Sequence, residues 1–211
     1  MTDARHVGTA RPRPDAPDKA SGRANYIHDL SRPGMLVGKV VFSSQAHAKI
    51  VDIDTSAAER LPGVHAVLTA RNTPEIRFGF MRDNVALKGD RVRQYRDEVA
   101  AVAAVDADTA AEAASLIKVE YEPLPAVFSP EAALAEGAPL IHETDPRGRP
   151  REDNRLSLRY QHRTGDPDAA RRSSAHVVEG TYSTPWIQQS CMGTAGCIAE
   201  FGQRLQAGEL P

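Results

Sequence analysis

EVAAVAAVDADTAAEAASLI, residues 98–117, is the stretch whose reading decides the fold. Its first eight residues are valine and alanine after a single glutamate, the composition of a strand buried on both faces. Asp106, Ala107, Asp108 and Thr109 then place carboxylates where a helix begins, and alanine-rich sequence with apolar residues at helical spacing runs through Ile117. A buried strand leading into a helix implies a mixed layer of sheet and helix.

Outward from this centre, residues 118–121 return to β character and Pro123-Leu124-Pro125 ends the run. Toward the amino terminus, MLVGKVVFSS from Met35 and KIVDIDT from Lys49 are β-rich and are expected to pair with each other. Thr55-Ser56-Ala57-Ala58-Glu59 starts a short helix that Pro62-Gly63 stops after about two turns. Residues 64–69 form another strand, whereas residues 70–91 read as a long irregular loop, a feature often reserved for function. Residues 1–20 carry prolines at 12, 14 and 17, which forbid helix and favour an extended tail.

After a small helix at residues 131–135, residues 142–154 are dense in charge, Gly and Pro, the composition of an exposed connection. The expected division is a flexible tail at 1–13, a first domain at 14–127, a linker at 128–154, and a second unit at 155–211. In that unit residues 156–163, 175–184 and 193–201 alternate as strands, and Asp166-Pro167-Asp168 begins a short helix. With no closing helix or partner strand, the second unit is expected to be the incomplete start of a larger domain.

The chain has 211 residues, 41% of them apolar and 26% charged, enough for a real core. Its 26 basic residues nearly balance 28 acidic ones, so no positive field exists to hold nucleic acid or an anionic membrane. No signal-peptide core and no apolar run of membrane-spanning length occurs, and a cytoplasmic location is expected. Cys191 and Cys197 are neither a disulfide framework nor a Cys-x-x-Cys pair. The histidines at 6, 28, 47, 65, 142, 162 and 176 have no metal-binding spacing, so no metal ligand is assigned. The residues from Gly34 to Lys39 lack the spacing and hydroxyl of a phosphate-binding loop, there is no Gly-x-Gly-x-x-Gly, and no Gly-x-Ser-x-Gly exposes a serine. Catalytic and cofactor-binding residues are accordingly expected to be absent.

Above this background stands a series of phrases in fixed order. Asp18-Lys19-Ala20-Ser21-Gly22-Arg23-Ala24-Asn25-Tyr26-Ile27-His28-Asp29 comes first, with Gly22 suited to a turn and Tyr26 to an anchor against the sheet. Met35-Leu36-Val37-Gly38 with Ser43-Ser44-Gln45-Ala46-His47-Ala48, Ile53-Asp54-Thr55-Ser56-Ala57-Ala58, Leu61-Pro62-Gly63-Val64, Glu98-Val99-Ala100-Ala101-Val102 and Val119-Glu120-Tyr121-Glu122-Pro123-Leu124-Pro125 follow. In this order they resemble the molybdopterin-binding large subunits of the xanthine dehydrogenase and aldehyde oxidase family, with the region around residues 77–95 similar to hydroxybenzoyl-CoA reductase-like members.

That resemblance implies an α+β fold: an α/β hammerhead domain followed by the incomplete start of a molybdopterin-binding α+β domain. It implies a component of a molybdenum-dependent hydroxylase or oxidoreductase acting on aromatic, N-heterocyclic or aldehyde substrates. The molybdopterin cofactor would belong to the complete enzyme and not be bound by this chain alone, with iron–sulfur clusters and FAD on partner domains or subunits. The family's glycine-rich loop and its glutamate general base would lie beyond residue 211. A substrate-pocket segment would fall at Gln189, Cys191 and Gly193, where the family has His-x-x-Met-Glu-Pro or a close variant. Gly193 stands at the glutamate and offers no acceptor. Two alternatives stay open at this point: a non-catalytic stand-alone hammerhead serving assembly, and a small-molecule binding module built on residues 70–91.

Overall fold

A computed structural model of the chain describes residues 8–79, 82–145, 147–155, 161–162, 164–191 and 193–200. Backbone packing divides the chain into two compact units, Gly34–Ser173 and a second combining Met1–Pro33 with Ser174–Pro211.

In the smaller unit, residues expected to stay extended form a helix, α1 (Ala16–Ser21). Proline forbids a helix only where an internal N–H is needed. Pro17 lies in the first turn, where N–H groups have no helical partner. Asp15, at the cap, accepts from Lys19 Nζ at 2.5 Å and Arg13 Nη2 at 2.9 Å, and these donors hold its carboxyl below the usual range. Gly22 ends α1 in the left-handed region at φ 73°, freeing the N–H groups of Arg23 and Ala24 to reach the Asp18 carbonyl. A 3₁₀ turn (Ile27–Asp29) follows, closed reciprocally: Asp29 Oδ2 accepts from the Tyr26 N–H, and the Asp29 N–H donates to the Tyr26 carbonyl.

The larger unit contains β1 (Val37–Phe42), β2 (Ala48–Asp54), α2 (Ser56–Glu59), β3 (Val64–Thr69), β4 (Arg77–Phe78), β5 (Asn84–Val85), β6 (Arg91–Val92), β7 (Glu98–Ala104), α3 (Ala107–Leu116), β8 (Lys118–Pro123), α4 (Pro130–Leu134) and α5 (Pro167–Ser173). The strands make one antiparallel sheet ordered β1-β7-β3, a second ordered β6-β2-β8, and a two-stranded ribbon β4-β5. The fold is α+β, with strand β7 and strand β8 in different sheets although only one helix separates them.

The expected pairing of the first two strands is overturned. β1 pairs with β7 and β2 with β6 and β8, because residues 43–47 do not form a hairpin. Their backbone is drawn to the start of β7: the Ser43 N–H donates to the Asp97 carbonyl at 2.7 Å, and the Arg96 N–H to the Ser43 carbonyl at 3.1 Å. The helix expected to last two turns is one turn, and the region expected to be an irregular loop carries the β4-β5 ribbon.

After Glu98 the sequence of β7 is all alanine and valine because the strand is enclosed on both edges and over one face. Val99, Ala100, Val102 and Ala104 are buried. A bulge makes Val41 oppose Ala100 and Phe42 oppose Glu98, leaving Val99 extra, so two consecutive residues are buried. Ala100, Val102 and Ala104 join Ile53, Ala58, Val67, Ile117 and two helix residues in the main core, whereas Val99 joins Ala48 and Val92 in a second cluster. α3 lies over β1 and β7 through Ala110 and Ala113, both fully buried. Methyl side chains let helix and sheet approach closely. Asp106 caps α3 by accepting the Thr109 N–H at 2.7 Å, which holds its carboxyl below the usual range.

The short helices α4 and α5 stand where residue patterns placed them. Residues 175–184 and the described part of 193–201 do not form the strands expected of them. A strand exists only when its N–H and C=O groups meet a neighbouring strand, and no described segment pairs with these residues. The strand expected at 156–163 falls almost wholly outside the described residues. Among those described, no helix is long and apolar enough to cross a membrane.

Gly63 joins α2 to β3 at φ 89°, and a Cβ there would lie 2.9 Å from Val105 Cγ2 and 3.3 Å from Thr109 Cγ2. Its carbonyl accepts the Val105 N–H at 3.0 Å, fixing the approach. Gly63→Ala is therefore expected to lower stability by about 2 kcal/mol, combining left-handed strain with overpacking. Urea denaturation followed by circular dichroism checks this, and an unchanged midpoint would contradict the assignment.

Candidate functional site

The three residues proposed from sequence as a pocket wall lie in the smaller unit. Gln189 and Cys191 are exposed, and Ser190 between them has φ 49°, a left-handed kink at a non-glycine residue. The kink breaks any side-chain alternation through this segment. Gly193 is half-buried for a definite reason: an ideal Cβ on it would stand 2.7 Å from Cδ1 and 3.2 Å from Cε1 of Tyr26. The tyrosine ring occupies the space a side chain at 193 would enter. Three residues on, a Cβ at Gly196 would lie 3.1 Å from Ile27 Cγ2. The 3₁₀ turn thus serves as the bed on which residues 193–196 rest.

Within the smaller unit the ring of Tyr26 meets Gly193. The turn that presents it is set by Gly22 and by Asp29, so an early phrase and a late segment of the chain meet at one contact. Spacing could not have revealed this, because 167 positions separate the two residues.

Elsewhere, the larger unit has a cavity of about 580 Å³ between residues 70–90 and residues 142–148. Several of its charged groups are paired, while Arg82 and Asp90 line it without an ion pair among the described residues. Arg77 Nη2 lies 2.7 Å from Glu75, Arg93 Nη2 lies 3.5 Å from Glu143, and Arg91 also pairs with Glu143. Burial holds the His142 imidazole below its usual range and the charge of Arg93 adds to this, while Asp83, 3.9 Å from Nε2, acts in the opposite sense. Asp145 sits at about 2, chiefly because Arg149 donates to it from its side chain and backbone, with the Arg147 N–H adding a further bond.

Beside the cavity, Lys88 is buried, with Nζ 2.8 Å from Glu98 Oε2, 3.0 Å from the Val85 carbonyl and 3.5 Å from Asp97 Oδ1. Asp97 also accepts the N–H groups of Arg93 at 2.6 Å and Gln94 at 3.2 Å. This network pins the loop to the start of β7 and is accounted for by structure alone. The sequence reading missed it, since one lysine in a charged loop gives no sign of burial. His47 is another buried polar residue: Nδ1 donates to the Pro125 carbonyl at 2.6 Å, joining the phrase at 43–48 to that at 119–125. Among the described residues, no three His, Cys, Asp or Glu side chains converge as a metal site.

Comparison with known proteins gives these features a context. Residues 21–125 match the family model described as aldehyde oxidase and xanthine dehydrogenase, a/b hammerhead domain. The chain is 40% identical over 192 residues to a probable xanthine dehydrogenase subunit of Bacillus subtilis strain 168, covering 90% of this chain and 25% of that one. It is 39% identical over 180 residues to the nicotinate dehydrogenase large molybdopterin subunit of Eubacterium barkeri, covering 84% of this chain and 40% of that one. Among solved structures, reconstituted CO dehydrogenase from Oligotropha carboxidovorans superposes with a TM-score of 0.56 at 41% identity, over 63% of this chain and 17% of the other. The chain spans a quarter to two-fifths of these curated relatives' lengths.

Two outcomes follow from the local geometry. Gly193→Glu must displace the Tyr26 ring, and the Tyr26 ring resonances in an NMR spectrum are expected to move sharply, while Gln189→Ala leaves them in place; unmoved resonances in the glutamate variant would refute the contact. For His142, a folded-state value below the unfolded one means that the unfolded chain takes up the proton first. Stability is then unaffected above about pH 6.5 and falls as pH drops from there through the folded value. His142→Gln should flatten that part of a urea-midpoint profile between pH 8 and 5, and an identical acid-side slope in both proteins would exclude the effect.

Proposed function

This chain belongs to the aldehyde oxidase and xanthine dehydrogenase family through its α/β hammerhead domain, and we propose that it is the hammerhead-bearing component of a molybdenum-dependent hydroxylase. The observation that carries the reading is the asymmetry of coverage: nine-tenths of this chain matches a quarter of the Bacillus relative. Hammerhead residues 14–127 and the beginning of a molybdopterin-binding domain at 155–211 form the proposed division. The remaining domains come from further polypeptide, and iron–sulfur clusters and FAD belong to partner domains or subunits. The proposed location is the cytoplasm.

The described residues do not fit a molybdopterin. A pterin phosphate needs converging backbone N–H groups or cations without competing acids, whereas Arg77 and Arg93 of the cavity wall are held by Glu75 and Glu143 and the carboxylates of Asp83, Asp90 and Asp145 line it as well. The glycine of the candidate segment leaves no open cradle, because Tyr26 fills it. No chemical step is therefore assigned to this chain.

What the chain contributes is shape and polarity. Gln189, Cys191 and Gly193 are proposed as part of a pocket wall, and beside Gly193 a substrate would meet an aromatic ring where the family places a carboxylate. An aromatic ring offers stacking and apolar contact and no charge-assisted acceptor. This favours an aromatic or N-heterocyclic substrate, or an aldehyde, over one that must be held by an acid at that point.

Purification of the chain from its own cells, with elemental analysis and mass spectrometry of what accompanies it, tests the proposal. Molybdenum together with a polypeptide carrying the remaining molybdopterin-binding domains is the expected result. A metal-free monomer resistant to protease through residue 200 would instead establish a stand-alone scaffold.

A further inference from the structure

The walls of the cavity between residues 70–90 and 142–148 are fixed by hydrogen bonds within the chain. On one side the Lys88 N–H donates to the Glu98 carbonyl and the Ile50 N–H to the Asp90 carbonyl, each at 2.8 Å. On the other, Arg93 Nε donates to the Ile141 carbonyl at 2.8 Å, while the Asn154 side chain accepts the Ile141 N–H at 2.9 Å and donates to the Pro139 carbonyl at 3.0 Å. The space is preformed, and about 580 Å³ is the size of a small-molecule site.

Its lining has an apolar part, supplied by Pro74, Ile76, Val85, Ala86 and Leu87, and a charged part. Glu75, Glu143 and Asp145 each have an arginine partner, at Arg77, Arg91 and Arg149. Among the described residues, the carboxylates of Asp83 and Asp90 are paired with no lysine or arginine, and the guanidinium of Arg82, which is exposed, with no acid. Two unpaired carboxylates thus stand against one unpaired cation. Asp83 matters more, because its side chain is only 31% exposed. Its basic neighbour, His142 at 3.9 Å, is held below its usual range by burial and by Arg93, and carries no charge at neutral pH. A half-buried carboxylate without a counter-charge is costly, and this one lines a ready-made space with apolar walls.

We propose that the cavity is a binding site for a small organic cation, an amine or N-heterocyclic cation with a ring-sized apolar body, its charged nitrogen at Asp83 and its body against Ile76, Val85 and Leu87. A charge-assisted hydrogen bond to Asp83 orients the ligand, and burial of the ring on the apolar wall holds it. An anion would meet Asp83 and Asp90 at once, a neutral molecule leaves Asp83 uncompensated, and no three ligating side chains converge for a metal ion among the described residues. Every lining residue belongs to the larger unit, so binding is independent of the molybdenum reading above.

Benzylammonium is the probe, with benzyl alcohol and benzoate as its neutral and anionic counterparts, each titrated into the full chain at low ionic strength and neutral pH while the methyl resonances of Val85 and Leu87 are followed. Benzylammonium is expected to bind at least about tenfold more tightly than benzyl alcohol, and benzoate to leave the resonances in place. Asp83→Asn should weaken benzylammonium about tenfold and leave benzyl alcohol unchanged, with the urea midpoint reporting that the variant is folded. Ile76→Ser, at a side chain 62% exposed and outside the core, should weaken both ligands about threefold and decides the matter if Asp83→Asn does not fold. Glu131→Gln, which removes a charge from α4 away from the cavity, should change neither. Equal affinity for the three probes, no saturation by benzylammonium, or variants of the cavity that bind it as wild type does would overturn the site.

Discussion

Enclosure of β7 is the constraint from which the larger unit is built. The strand hydrogen-bonds to β1 on one edge and β3 on the other, so its residues must fit between two neighbouring strands, and those on one face must fit under a helix. That requirement explains a run of valine and alanine, the alanines that α3 buries at 110 and 113, and the need for glycine at position 63, where the chain passes within van der Waals range of Val105 and Thr109. The bulge at Val99 divides the apolar residues into two clusters, one under α3 and one against Ala48 and Val92. A single irregularity thereby lets one strand serve both sheets' cores.

Polar groups near the start of β7 hold the loops in register with it. Lys88, Asp97 and Glu98 form a buried network, and the Lys88 N–H donates to the Glu98 carbonyl at 2.8 Å. Burying this cation is tolerable only because two carboxylates and a carbonyl surround it. In the neighbouring cavity Arg77 and Arg93 are held by Glu75 and Glu143.

Within the smaller unit, the ring of Tyr26 lies against Gly193. Glycine at 193 is the complement of a ring pressed against its backbone.

Several features were legible in the residues alone because their causes are local. Asp106 as the cap of α3, the turn at Gly22, the burial of residues 98–104 and the family phrases all depend on neighbours within a few positions. Pairing is different. Nothing in β1 or β2 distinguishes a hairpin from membership of separate sheets, and only the attachment of residues 43–47 to the start of β7 decides it. The alternation at residues 175–184 likewise records a propensity that yields a strand only beside a partner. Burial of Lys88 and occupation of the Gly193 site by Tyr26 were decided by tertiary structure as well, because both arise where segments distant in sequence converge, and periodicity carries information only about residues along one element.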